Sequence, residues 1–244
     1  MSLLLNCDLG ESYGSWTMGL DAAVMPFIDQ ANIACGFHAG DPLVMQNTLV
    51  LAKKHDVMVG AHPGYPDLVG FGRRSMNCSK SEIIAFMHYQ MSAIWGMAQA
   101  QNLSLAYVKP HGALYNDMMA NIDVRCAIMQ AIAEFPYPIT LMLQATPAYK
   151  VHQKEAEQIG IKLWFEAFAD RCYDDDGKLL SRTQVGAVHN KEKMIAQVEQ
   201  LCAHGTVTTV SGNTLAIHAD TLCVHGDNME GINAIQEVRE RISK

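Results

Sequence analysis

Short apolar runs along this chain repeatedly end in junctions rich in glycine, proline, histidine and aspartate. "LLLN" leads into "CDLGESYG", "ANIA" into "CGFHAGDP", "VMVG" into "AHPGYPDLVGFGRR" and "LAYV" into "KPHGALYND". Farther on, "ITLML" leads into "QATPAY", "KLWFEAF" into "ADRCYDDDG" and "TLCV" into "HGDNMEG". Runs of this length and continuity suit strands buried on both faces. Between them lie helical spacings with clear starts. Asp41-Pro42 reads as N-cap and first helical residue, with Met45, Leu49 and Ala52 along one face. Ser79 and Glu82 form a capping-box pattern before Ile83, Phe86, Met87, Met91, Ile94 and Trp95. Asn190 precedes Met194, Ile195, Val198, Leu201 and Cys202, and Asn228 precedes Ile232, Ile235, Val238 and Ile242.

Strands alternating with helices predict a parallel sheet. About seven β-α units suit a TIM-like α/β barrel better than an open sheet. The segment 205–220, "GTVTTVSGNTLAIHAD", fits either an extra strand or a hairpin. No linker-like stretch or shift of composition breaks residues 1–244, so one barrel domain is expected.

Composition narrows the function. The chain has 244 residues, is 49% hydrophobic and 18% charged, and carries a net charge of −7, which argues against a nucleic-acid partner. Its seven cysteines include no C-x-x-C pair, and Cys35, Cys126 and Cys223 sit in apolar surroundings, so reduced thiols are expected. The start "MSLLLNCDLGE" lacks a basic n-region, and no run approaches the roughly 18 apolar residues of a membrane span. A soluble, cytoplasmic protein with no membrane partner is the expectation.

In a parallel barrel the loops that follow the strands open on one face, where active sites form. Lys109 and His111 belong to that mouth, with Pro110 and Gly112 shaping the turn. Asp8 and Glu11, His38 and Asp41, His62 and Asp67, Asp170 and Arg171, and His225 and Asp227 occupy equivalent junctions. Any one junction histidine can simply cap a helix. Four of the ten histidines at this one kind of position is harder to dismiss. His55, His88, His152, His189 and His204 fall on helices or surface loops and are expected to be solvated.

Three chemistries suit these residues. Asp8, His38, His62 and His111 are candidate ligands for zinc or another divalent ion. No short ligand spacing supports that reading, so an ion at Asp8, His38 and His62 is expected to be weak or absent. General acid-base catalysis by Asp8, Glu11 or a histidine, with Lys109 stabilising an oxyanion, is the second. Capture of a carboxylate-bearing ligand by Lys109, Arg73, Arg74 and Arg171 is the third. The bland alternatives are that Lys109 pairs with Asp8 or Glu11, and that Arg73 and Arg74 pin a long loop. "GFG" at 70–72 is no dinucleotide fingerprint, no Walker A sequence exists, and "DDDG" at 174–177 lacks the other ligands of a calcium loop. Methionines on the helices read as core filler.

At these junctions the sequence resembles the LamB/YcsF family, whose members are described as the A subunit of bacterial 5-oxoprolinase. The matching stretches are "LNCDLGESYG", "ANIACGFHAGDP", "GAHPGYPDLVGFGRR", "VKPHGALYN", "FADRCYDDDGKLLSR", "GAVHN" and "CVHGD", in family order. Departures are mild: "YQMSAIWG" replaces a more typical Tyr-Gln-Ile-Gly-Ala-Leu, and Cys7 stands where some members carry alanine. The resemblance implies a seven-stranded (β/α) barrel of the glycoside hydrolase and deacetylase type. It also implies ATP-dependent opening of 5-oxo-L-proline to L-glutamate with two partner subunits, B and C, which are expected to handle the ATP. On that reading Asp8, Glu11, Lys109 and His111 are the catalytic candidates. His38, His62, Asp67, Arg73, Arg74, Asp170, Arg171, His225 and Asp227 are the substrate-binding ones. A stand-alone metal-dependent amide hydrolase and a non-catalytic lactam-binding protein remain the rivals.

Overall fold

The computed structural model describes residues 3–225 and 229–242. In chain order the elements are β1 (Leu4–Leu9), α1 (Asp21–Val24), β2 (Gln30–Ala34), α2 (Pro42–His55), β3 (Met58–His62), α3 (Lys80–Gln99), β4 (Leu105–Val108), α4 (Gly112–Ala120) and α5 (Ile122–Ala133). There follow β5 (Thr140–Gln144), α6 (Tyr149–Ile159), β6 (Lys162–Phe168), α7 (Lys191–His204), β7 (Thr206–Thr208), β8 (Thr214–Ala216), β9 (Thr221–Val224) and α8 (Met229–Ile242). Strands β1 to β6 and β9 close into a barrel in the order β1-β2-β3-β4-β5-β6-β9, every pairing parallel. The seven apolar runs of the sequence are these seven strands. The segment 205–220 holds the hairpin alternative: β7 and β8 pair antiparallel outside the barrel.

Capping fixes where the helices begin. Asp41 accepts hydrogen bonds from the backbone N–H of Leu43 and Val44 at 2.9 Å, Ser79 and Glu82 form the reciprocal capping box, and Asn190 caps α7. Such a cap contributes about 1 kcal/mol. The expected faces are the buried ones: Met45, Leu49 and Ala52 on α2, and Ile83, Met87, Met91 and Ile94 on α3. They pack on outward strand residues such as Leu5, Ile33 and Val59 in one continuous core. The methionines fill that core as expected.

The barrel interior differs from the apolar lining that the runs suggested. Asn6, Gln30, Asn32, Glu166 and Thr221 are all fully buried, and hydrogen bonds link them. Asn6 Nδ2 donates to Thr221 Oγ1 at 2.9 Å, Thr221 Oγ1 to Gln30 Oε1 at 2.6 Å, and Tyr107 OH to Asn32 Oδ1 at 2.6 Å. Gly60 faces Tyr107 across the β3–β4 pair, and a Cβ at Gly60 would sit 2.2 Å from the Tyr107 ring. The missing side chain is what lets the ring fill the barrel. Two smaller expectations fail. Cys126 is exposed, because α5 turns Ala127, Ile128 and Ala131 to the core instead, and His152 on α6 is buried rather than solvated. Cys35, Cys78, Cys126, Cys172, Cys202 and Cys223 are free thiols, and among the described residues no helix is long and apolar enough to cross a membrane.

Candidate functional site

Strand ends and the loops after them bring most of the candidates together at the mouth. Asp8 is the penultimate residue of β1, and Gly10, at φ +69°, turns the chain so that Glu11 returns over it. His38 follows β2, His62 ends β3, and Lys109 leaves β4 with its N–H bonded to Ala61 O at 2.9 Å. His111 is the N-cap residue of α4, anchored by its N–H to Pro63 O at 2.8 Å.

Beneath the mouth lies a buried ion triad. Lys109, 3% exposed, places Nζ 2.8 Å from Asp8 Oδ1 and 2.7 Å from Glu166 Oε1. Tyr115 OH donates to Glu166 Oε2 at 2.8 Å, and Asn32 Nδ2 donates to Asp8 Oδ1 at 2.8 Å. Burial works against the charge on Lys109, yet the negative groups around it, Asp8 foremost, hold its ammonium well above the usual range. Burial likewise opposes ionisation of Asp8, but His62 and Lys109 hold its carboxyl well below the usual range. The pairing foreseen with Asp8 is present. Of the alternatives Asp8 and Glu11, it is Asp8 that Lys109 meets, and its second partner is Glu166 from inside "KLWFEAF". No motif marks Glu166, Asn6, Asn32, Tyr107 or Tyr115 in the sequence.

Above the triad sits a carboxylate-imidazole cluster. Glu11, His38, His62 and His111 each offer one donor atom, all within 4.8 Å of one another. His62 Nε2 lies 3.0 Å from His111 Nδ1 and 3.4 Å from Asp8 Oδ2. The rings of His38 and His111 stack with centroids 3.6 Å apart. Burial, reinforced by neighbouring imidazoles, pushes His38 and His111 well below the usual histidine range. Burial and the Asp8 charge raise Glu11. These four residues could hold a metal ion. Of the candidate ligands Asp8, His38, His62 and His111, the compact set keeps the three histidines and takes Glu11 as its carboxylate, with Asp8 beside it.

Of the other candidates, His225 lies within electrostatic reach of Asp8 and Glu11, and Arg73 of His38, while Asp67, Arg74 and Arg171 brace loops. Asp67 is buried and receives Arg74 and the Gly70 N–H, so the two side chains pin the loop 67–74, the bland alternative weighed for Arg74. Arg73 stands 5.1 Å over the Phe71 ring. Arg171 is buried with its guanidinium donating to Ala187 O and Leu180 O, which makes it a brace of the loop after β6. Asp170 pairs with His225 at 2.9 Å, and His225 Nε2 lies 3.0 Å from Arg182 Nη2. Asp227 and Asn228 fall outside the described residues.

The pattern described as the LamB/YcsF family matches residues 3–244, every strand and every junction above. The chain belongs to the LamB/YcsF family. A protein of Pseudomonas fluorescens Pf0-1 named as the A subunit of 5-oxoprolinase is 52% identical over 243 residues, covering 99% of this chain and 97% of the relative. One of the same name from Vibrio campbellii is 51% identical over 241 residues, covering 98% and 95%. The crystal structure of a lactam utilization protein from Thermus thermophilus superimposes with a TM-score of 0.91 at 38% identity, covering 100% of this chain and 98% of that one. The LamB/YcsF fold is thus this closed parallel barrel.

Proposed function

We propose that this chain is the A subunit of a cytoplasmic, ATP-dependent 5-oxoprolinase and completes the opening of the lactam ring to L-glutamate. The observation that carries the reading is the meeting of Asp8, Glu11, His38, His62 and His111 at the barrel mouth. It stands in a chain whose relatives are named as the A subunit of 5-oxoprolinase. Water held by this cluster loses a proton to it as its oxygen bonds to the lactam carbonyl carbon. The C–N bond then breaks, and the ring nitrogen takes a proton and becomes the amine of glutamate. Lys109 serves through Asp8, keeping that carboxylate ionised and oriented, since its ammonium is already shared between Asp8 and Glu166.

A nucleotide's phosphates do not suit this mouth. Asp8 and Glu11 present negative charge, and the buried cation beneath them is taken. ATP therefore falls to the partner subunits B and C. Trp16, Val69 and Val185, each on a loop that follows a strand, are 69%, 92% and 103% exposed and are apolar side chains that such partners would cover. Glutamate release from 5-oxoproline and ATP, measured with this chain alone, the partners alone and all together, tests the proposal. Release is expected only from the full set. Robust ATP-coupled release by this chain alone would remove the need for partners, and full release by the partners alone would make this chain non-catalytic.

A further inference from the structure

We infer that Glu11, His38, His62 and His111 form a binding site for a divalent transition-metal ion of the zinc type. The hydrogen bonds on the far sides of two rings fix what faces inward. His62 Nδ1 lies 2.7 Å from Lys109 O, and His111 Nε2 lies 2.8 Å from Phe71 O. A carbonyl oxygen only accepts, so both of these nitrogens carry the proton. In the neutral rings His62 Nε2 and His111 Nδ1 are then bare lone pairs, aimed at each other 3.0 Å apart. Two acceptors at that distance repel unless a cation lies between or beside them. A third proton shared between the two rings is one candidate, but it leaves both nitrogens of the buried His38 unmet. A metal ion takes both lone pairs and leaves the rings neutral. Histidine with its outer N–H on a backbone carbonyl is also the usual support for a metal ligand.

His38 supplies an independent observation. It is 1% exposed, and both of its ring nitrogens lack a hydrogen-bond partner. A buried polar group left so costs about 1–3 kcal/mol. Its Nε2 points toward Glu11 Oε1 at 3.6 Å, and that oxygen lies 3.7 Å from His111 Nδ1. Tetrahedral zinc with bonds near 2.1 Å sets its ligand atoms about 3.4 Å apart. Separations of 3.0, 3.6 and 3.7 Å bracket that edge within a set that spans up to 4.8 Å, and the His38 ring, stacked on His111, has to tilt out of that stack to aim a nitrogen at the shared ion. The backbone makes room for the rings: a Cβ at Gly64 would lie 2.8 Å from His38 Nδ1, and one at Gly72 2.7 Å from His38 Cβ and 2.8 Å from His111 Cδ2. Three neutral imidazoles and one carboxylate suit zinc, cobalt or a similar ion better than magnesium or calcium, which prefer oxygen.

Binding by this chain is a separate matter from its substrate, and the experiment uses neither substrate nor partners. The full chain, stripped with a chelator, is titrated with Zn(II) and with Co(II), and bound metal is counted by mass spectrometry after dialysis. About one equivalent of zinc should be retained per chain, with a higher melting temperature. Co(II) should show the intense visible absorption of a four- or five-coordinate nitrogen-rich site. His62→Ala and His38→Ala should each weaken binding on the order of 100-fold or more, beyond the 10–100-fold that supporting residues cost. His204→Ala, an exposed histidine far from the cluster, should change nothing. A chain that retains neither metal, or binds it equally well without His38 and His62, overturns the inference. Should those variants fail to fold, the Co(II) spectrum of the unaltered chain decides, and the weak absorption of hydrated cobalt refutes it.

Discussion

Lys109→Met keeps the apolar stem of the side chain and deletes the cation shared by Asp8 and Glu166. The two carboxylates are not equally exposed to the loss. Asp8 reaches the mouth with an 18% exposed side chain and retains Asn32 and His62, whereas Glu166 has no exposed side-chain surface and retains Tyr115. Breaking a buried ion pair by removing one partner costs about 3–5 kcal/mol, because the other charge stays behind. An escape by protonation is no cheaper: loading a proton at pH 7 onto a carboxyl with an ordinary pKa near 4 costs about 4 kcal/mol. At about 2–4 °C per kcal/mol for a chain of this size, Lys109→Met should melt about 6–20 °C lower. Glu166→Gln added to it removes the stranded charge and keeps an acceptor for Tyr115. The double variant should therefore regain at least half of the loss. Urea and thermal melts of the unaltered chain, the single and the double variant at pH 7 measure this order directly. A single variant as stable as the unaltered chain, or a double variant no better than the single, refutes the reasoning.

Asp8→Asn should lower glutamate release by the assembled enzyme on the order of 100-fold or more, the scale of losing a general base, with a melt little changed; an unfolded variant would assign Asp8 to structure instead. Gly72→Ala places a methyl against His38 and His111 at φ +62°, whereas Gly14→Ala meets φ +56° with nothing nearby. Both should lose about 1–2 kcal/mol to the left-handed backbone, but only Gly72→Ala should lose most of its activity, as melts and turnover of the pair will show. The Asp170–His225 pair predicts a pH window. Burial opposes the charge on His225, but Asp170, with a smaller push from Asp8 against Arg182, raises it; burial opposes ionisation of Asp170, but His225 lowers it. The pair's contribution is then full between about pH 4 and 6.5, fades as pH rises through the raised histidine value, and fades again as pH falls through the depressed carboxyl value. Urea melts from pH 3 to 9 should show the gap between the unaltered chain and His225→Gln widest inside that window, and a flat gap would refute it.

What was legible in the sequence follows from what repeats in it. Each strand announced itself as an apolar run closed by a glycine- or proline-rich junction, and Asp41, Ser79 with Glu82, and Asn190 marked helix starts by their own capping chemistry. The interior was not legible. A polar residue inside a run, such as Glu166, points into the barrel or out of it depending on register, and register is set by the neighbouring strand. The register Asp8↔Asn32 and Asn6↔Gln30 is what stacks those side chains on one inward face. The imidazole cluster was hidden for a related reason. Glu11, His38, His62 and His111 come from four different strand-to-loop junctions, so no short spacing records their meeting within 4.8 Å. Arg74 read as a ligand-binding cation because its partner Asp67, seven positions earlier, looked equally free.

The ring of strands is sealed by its two ends: β1 pairs with β9, and Asn6 finds Thr221 across 215 positions of sequence. A nascent chain emerging from the ribosome therefore carries six of the barrel's strands with two open edges until β9 is made. During that interval β1 and β6 are templates for the wrong neighbour, and Asn6 and Gln30 have no Thr221 to meet. The order of synthesis sets the hazard, and the topology offers its own remedy. That remedy is the insertion of β9 between β6 and β1, which closes both edges at once.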